Sequence, residues 1–149
     1  MKLFSTPLLI LFCLALNCPA GFSSDTTCET GDATIIKQLV QEALEYNGWV
    51  NEPDYEEKLG GMYAGKLLPE VVNSVKQFRS VCTDWHALTF VSNCHIVYND
   101  GKTALVLALF YEKNPDGAND GHGSAVVELH NTTDGWRITR MDIISPLPG

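Results

Sequence analysis

Two rhythms of apolar residues divide the chain. In the first half, Ile36, Leu39, Val40 and Ala43 recur at three- and four-residue intervals, with Lys37, Gln38, Gln41, Glu42 and Glu45 between them. That spacing gathers the apolar set on one face of an α-helix. Asp32 or Thr34 is the expected N-cap, and Asn47-Gly48 the stop. A short second helix is predicted over 53–59, with Pro53 in its first turn and Gly60-Gly61 ending it. A third follows Leu67-Leu68, with Pro69 in its first turn and Val71, Val72, Val75 and Phe78 as the inward stripe.

After Asp84 the period changes. Residues 86–91 and 94–98 read as extended, and Asn99-Asp100-Gly101 is a strong hairpin signal. Residues 103–111 are apolar on both faces, which predicts a central strand covered by helix on one side. Residues 114–123 form a polar, glycine-rich connection. A strand over 124–130, a turn at Thr133-Asp134-Gly135 and a last strand over 136–144 follow, closed by Pro146 and Pro148. Helices first and antiparallel strands after predict an α+β fold, with N-terminal helices packed on a curved four-stranded antiparallel sheet. No repeat or linker divides this region, so one domain is expected.

The first residues read differently. Met1-Lys2 is basic, and Leu8 to Leu16 is an unbroken apolar run of nine residues. A membrane-spanning helix needs about 20 residues, so the run fits a secretory signal peptide better than an uncleaved anchor. Cleavage is expected after Ala20 or Ser23, and we take residues 1–23 as leader and 24–149 as the domain. Asn17 before Cys18 is a poor lead-in for a lipoprotein. The expected location is therefore secreted or periplasmic.

Charge and cysteine content change with that step. The chain of 149 residues carries 10 Lys+Arg against 18 Asp+Glu, a net charge of −8. Removing Lys2 and no acid leaves nine bases against 18, or −9. Such acidity argues against nucleic acid or an anionic membrane as a partner of the processed chain. Loss of Cys13 and Cys18 leaves Cys28, Cys82 and Cys94, hence one disulfide and one free thiol in an oxidising compartment. If residues 86–98 were one straight strand, Cys94 would lie roughly 25 Å from its start at ~3.3 Å per residue, out of reach of Cys82. A bend near Ser92-Asn93 would reopen that pairing, and Cys28 could reach either. Cys94 with His95 makes a poor nucleophile–base pair, because neighbours on a strand point to opposite faces.

Among other candidates, His86, His95, His122 and His130 lack zinc-site spacing. A calcium loop starting at Asp116 would need ligands where Ala118 and Val127 stand. Neither a metal nor a cofactor is expected. Asn131-Thr132-Thr133 is a formal glycosylation acceptor. Trp49, Tyr55, Tyr63 and Trp85 are the aromatics that could line a ligand mouth or a partner surface. Glu52, Asp54, Glu56 and Glu57 form an acidic cluster suited to a basic partner.

Three helices, a long antiparallel meander and the terminal Gly135-Trp136-Arg137-Ile138 strand resemble the nuclear transport factor 2-like superfamily of cone-shaped, cystatin-like α+β domains. The Cys82-Thr83-Asp84-Trp85 segment is similar to one in small exported bacterial proteins of that type. No extra hairpin between the second and third helices is evident, which implies a reduced cone. The resemblance implies several activities. Catalytic members place an Asp, or an Asp–His–Tyr set, inside the cone, and Asp84, His86, Tyr98, Tyr111, Asp142 and Tyr63 are the residues to consider. Asp84 or Asp142 would be the base of an isomerase- or hydrolase-like enzyme. Without a clear catalytic constellation, the leading expectation is a non-enzymatic binding domain for a protein partner or a small apolar ligand, such as an immunity or inhibitor protein. A subunit of an envelope secretion assembly, or a homodimer joined through the sheet, is the third class.

Overall fold

The computed structural model describes residues 31–81, 87–114 and 120–144. Helix α1 (Gly31–Glu45) is followed by a 3-10 turn (Gly48–Val50), α2 (Tyr55–Met62) and α3 (Leu67–Ser80). Strands β1 (Leu88–Asn99), β2 (Thr103–Lys113), β3 (Asp120–Thr132) and β4 (Gly135–Ile144) then form a curved, open sheet in the order β1-β2-β3-β4, antiparallel throughout. The α+β architecture expected from the change of period is the one observed.

Side chains alternate across the sheet, and that alternation sets the core. Ala104, Val106, Ala108 and Phe110 of β2 face the helices with Ala125, Val127 and Leu129 of β3 and Trp136 and Ile138 of β4, all buried. From α1, Ile36 and Val40 enter the same cluster fully buried, with Leu39 and Ala43 partly buried beside them. Tyr55, Leu59 and Met62 of α2 and Val75 of α3 complete it.

Three local features depart from the sequence reading. Asp32 and Thr34 lie inside the first turn of α1, because the helix already begins at Gly31. Gly60-Gly61 does not end α2; the helix starts at Tyr55 and runs on to Met62. Neither glycine takes a positive φ, and burying Leu59 and Met62 outweighs the helix-weakening cost of the pair. The helix stops at Tyr63, which turns extended, forms a parallel bridge to Ile138 and leads to Ala64, whose N–H donates to the Ile138 carbonyl at 2.9 Å. Gly65, at φ 64°, then admits the turn into α3. Third, the two predicted extended pieces at 86–91 and 94–98 belong to one strand, β1, with irregular register between Val91 and Asn93 and between Ile96 and Tyr98. Such bulges bend a strand and increase its twist, so β1 is not straight.

The hairpins follow the turn chemistry. Between β1 and β2 the Asp100 carboxylate accepts the backbone N–H groups of Thr103 (2.7 Å) and Lys102 (2.9 Å), with Gly101 at φ 82°. Those two bonds, and one from the Tyr98 hydroxyl, hold the Asp100 carboxyl below its ordinary range. Asn131 ties the hairpins together, its N–H bonded to the Lys102 carbonyl and its amide Nδ2 donating to the Gly101 carbonyl. Strand β3 begins at Asp120, so the second half of the predicted 114–123 loop is paired strand.

Among the described residues no helix is long and apolar enough to cross a membrane. The predicted leader, Cys28, Cys82 and residues 115–119 lie outside the described residues.

Gly123 sits opposite Phe110, and an added Cβ would fall 2.5–2.8 Å from that buried ring. Gly123→Ala is therefore expected to force the ring aside and lower stability by about 1–3 kcal/mol, read as a lower urea midpoint with an unchanged m-value.

Candidate functional site

A pocket of about 200 Å³ opens where the C-terminal end of α1 meets the strand ends. One wall is Ala43, Leu44 and Glu45 of α1, Tyr46 just past its end, and Trp49 from the 3-10 turn; the other is Thr89, Phe110, Glu112, Met141 and Ile143 from the inner sheet face. Tyr63 forms part of the lining. The alternation of β2 explains Glu112: it is two residues beyond Phe110, on the same face, where the strand runs past the helices. Trp49 is held edge-on against Phe78 of α3, with ring centroids 5.0 Å apart.

Several polar groups here are committed to holding the walls. Tyr63 is only 6% exposed, and its hydroxyl donates to the Ala43 carbonyl at 3.2 Å. Burial pushes the Tyr63 phenol up to about 12, so it remains a neutral donor. The Glu45 carboxylate accepts the Val91 N–H at 2.7 Å and the Gln41 amide at 3.2 Å. That first bond satisfies a backbone group of the edge strand where its register shifts. Behind the pocket, the Tyr46 hydroxyl and the Lys58 ammonium both donate to Glu52 Oε2, at 3.0 and 2.6 Å. Burial, then the bond to Glu52, push the Tyr46 phenol up to about 12. The Lys58 bond, seconded by Tyr46, holds the Glu52 carboxyl below its usual range.

The predicted site residues are thus dispersed. Trp49 and Tyr63 reach the pocket. Tyr55 is buried in α2, with the Arg79 guanidinium 4.6 Å from its ring centre. Asp142 is on the opposite, outer face of the sheet, more than half exposed, paired to Arg140 at 2.9 Å. Tyr98 and Tyr111 share that outer face, Tyr98 bonded to Asp100 and Tyr111 stacked on Phe90. Asp84, Trp85 and His86 lie outside the described residues. Cys94 is free and half-buried on the helix side while His95 is exposed on the other, as expected of strand neighbours. Burial pushes the Cys94 thiol up, away from the reactive thiolate. Among the described residues no three His, Cys, Asp or Glu side chains gather as a metal site.

Reading the sequence alone missed Glu45, Tyr46, Glu112 and Met141. Only Glu112 carried a signal, an acid in phase with the buried positions of β2. The acidic cluster is also less free than it looks, because Glu52 pairs with Lys58 and Glu56 with Lys76.

Tyr63 titration has a defined sign. Its stabilisation is fully present below the ordinary value of 10.0 and is lost as pH rises toward about 12. Tyr63→Phe is expected to cost about 0.5–1.5 kcal/mol at neutral pH through the lost hydrogen bond. It should also make the alkaline decline in stability shallower, as measured by urea unfolding across that range.

No family model matches the chain, and no curated protein does. Among solved structures, the chain is similar to the intermembrane space region of the chloroplast protein ARC6, with a TM-score of 0.56 and 21% identity over 78% of this chain and 99% of that one. It is also similar to a proposed aromatic ring hydroxylase from Novosphingobium aromaticivorans, with a TM-score of 0.52 and 17% identity over 78% of this chain and 90% of that one. At these identities the likeness is one of fold, and it covers 78% of this chain in both cases.

Proposed function

We propose that the chain is an exported, non-enzymatic binding domain of the nuclear transport factor 2-like type, whose ligand seat is the pocket at the end of α1. The observation that carries this reading is the pocket itself: a concave site walled by Trp49, Tyr63, Phe110 and Met141, with Tyr63 and Glu45 spent on structural hydrogen bonds. Small-ligand sites combine apolar and aromatic walls with placed polar groups, and here the rings share the lining with Glu45, Asn47, Thr89 and Glu112. A protein partner of the immunity or inhibitor kind is less favoured, since Glu52 and Glu56 of the acidic cluster already have cationic partners within the chain. Export is supported by the N-terminal sequence, and the likeness to an intermembrane-space domain is compatible with it.

One further observation favours self-association as a second reading. The outer face of the sheet carries Leu105, Leu107 and Val126, half-buried, beside Leu109 at 43% and Ile144 at 58% exposure. Apolar area of this kind on a sheet face fits a homodimer or an assembly contact.

Small probes of different charge, followed by tryptophan emission and thermal shift, test the ligand reading. At least one is expected to bind, and Ile143→Trp at the pocket edge should weaken it at least tenfold, about 1.4 kcal/mol. Saturable binding that ignores this substitution would place the ligand elsewhere. Sedimentation equilibrium tests the second reading: Leu107→Glu should shift a dimer to monomer, and a wild-type monomer at high concentration would exclude it.

A further inference from the structure

We propose that this pocket selects a small organic cation, an alkylammonium group, over neutral or anionic ligands of the same shape. The inference rests on the ligand reading above and adds the charge of the occupant. Three independent features at one place point to it.

The first is the set of charges. Among the described lining residues are two carboxylates, Glu45 and Glu112, and no Lys, Arg or His. Glu45 is already bonded to Val91 and Gln41, which fixes its charge at the wall. Glu112 is exposed on the sheet side, able to approach an occupant. The Lys58 ammonium, 6.0 Å from the Tyr46 ring centre, is already bonded to Glu52.

The second is the helix. The lining residues 43–45 belong to the C-terminal turn of α1, which carries no basic residue, and Tyr46 follows directly after it. A helix C-terminus carries about half a negative elementary charge, and nothing within that last turn offsets it. An anion would meet this field and both carboxylates together.

The third is aromatic walls. Tyr46, Trp49, Tyr63 and Phe110 all contribute to the lining. Ring faces attract ammonium groups, most strongly when the cation is weakly hydrated, as a quaternary ammonium is. The aromatic part of the lining therefore adds a preference for positive charge to the one set by the carboxylates.

A probe set that varies charge at constant shape decides the matter. Choline is compared with 3,3-dimethylbutan-1-ol, its neutral isostere, and with 3,3-dimethylbutanoate, the anionic one, by isothermal calorimetry and tryptophan emission on the processed chain. Choline is expected to bind roughly tenfold more tightly than the alcohol, the anion more weakly still, and added salt to narrow the difference. Glu112→Gln, an exposed substitution with little consequence for folding, should reduce the preference for choline over the alcohol roughly threefold or more. Equal binding of all three probes would overturn the inference and leave the pocket as a neutral binding site. Binding of none would overturn both readings, and a choline preference unchanged in Glu112→Gln would overturn the assignment of that charge to this pocket.

Discussion

Tyr63 joins the three parts of this fold. Its backbone bridges to Ile138 of β4, its hydroxyl donates to the Ala43 carbonyl of α1, and its position between α2 and α3 starts the turn completed at Gly65. A helix layer packed on a sheet by apolar contact alone could slide, because hydrophobic burial has little directionality. The hydrogen bonds at Tyr63 are directional and fix where α1 ends above the strands. The pocket is the space left between those ends, so its position follows from the same residue.

A second anchor works at the edge of the sheet. Strand β1 pairs with β2 on one side only, and Glu45 of α1 receives the Val91 N–H from it. Edge strands with unpaired backbone groups invite pairing with other chains, and a covering helix with an acceptor side chain reduces that hazard. The shifted register near Ser92 and the extra residue at Thr139 in β4 bend the sheet. The bend brings Phe110, Glu112 and Met141 toward the helix end instead of leaving them on a flat surface.

How much of this was legible depends on whether neighbours in sequence or neighbours in space decide it. The face of α1 holding Ile36 and Val40, the central position of β2 and the Asn99-Asp100-Gly101 turn were all readable, because each rests on contacts a few residues apart. The end of α2 was not. Two adjacent glycines are a reasonable stop signal, and only the burial of Leu59 and Met62 against distant strands carries the helix past them. The site divides the same way. Trp49 and Tyr63 stood out as aromatics near glycines, whereas Asp142 belongs to the outer face because an extra residue in β4 resets the alternation between Ile138 and Met141. Such a one-residue change moves every later side chain to the other face.

By itself the sequence determined the order of elements, the helix stripe, the apolar central strand, the acidic balance and the nine-residue apolar run near its start. Periodicity and turn chemistry encode these locally. The tertiary structure alone decided that Glu45, Trp49, Tyr63, Phe110, Glu112 and Met141 share one pocket. These residues come from four elements and the segments between them, spread over almost 100 positions of chain. Their meeting depends on sheet curvature, strand register and the hydrogen bonds of Tyr63, which no local pattern specifies.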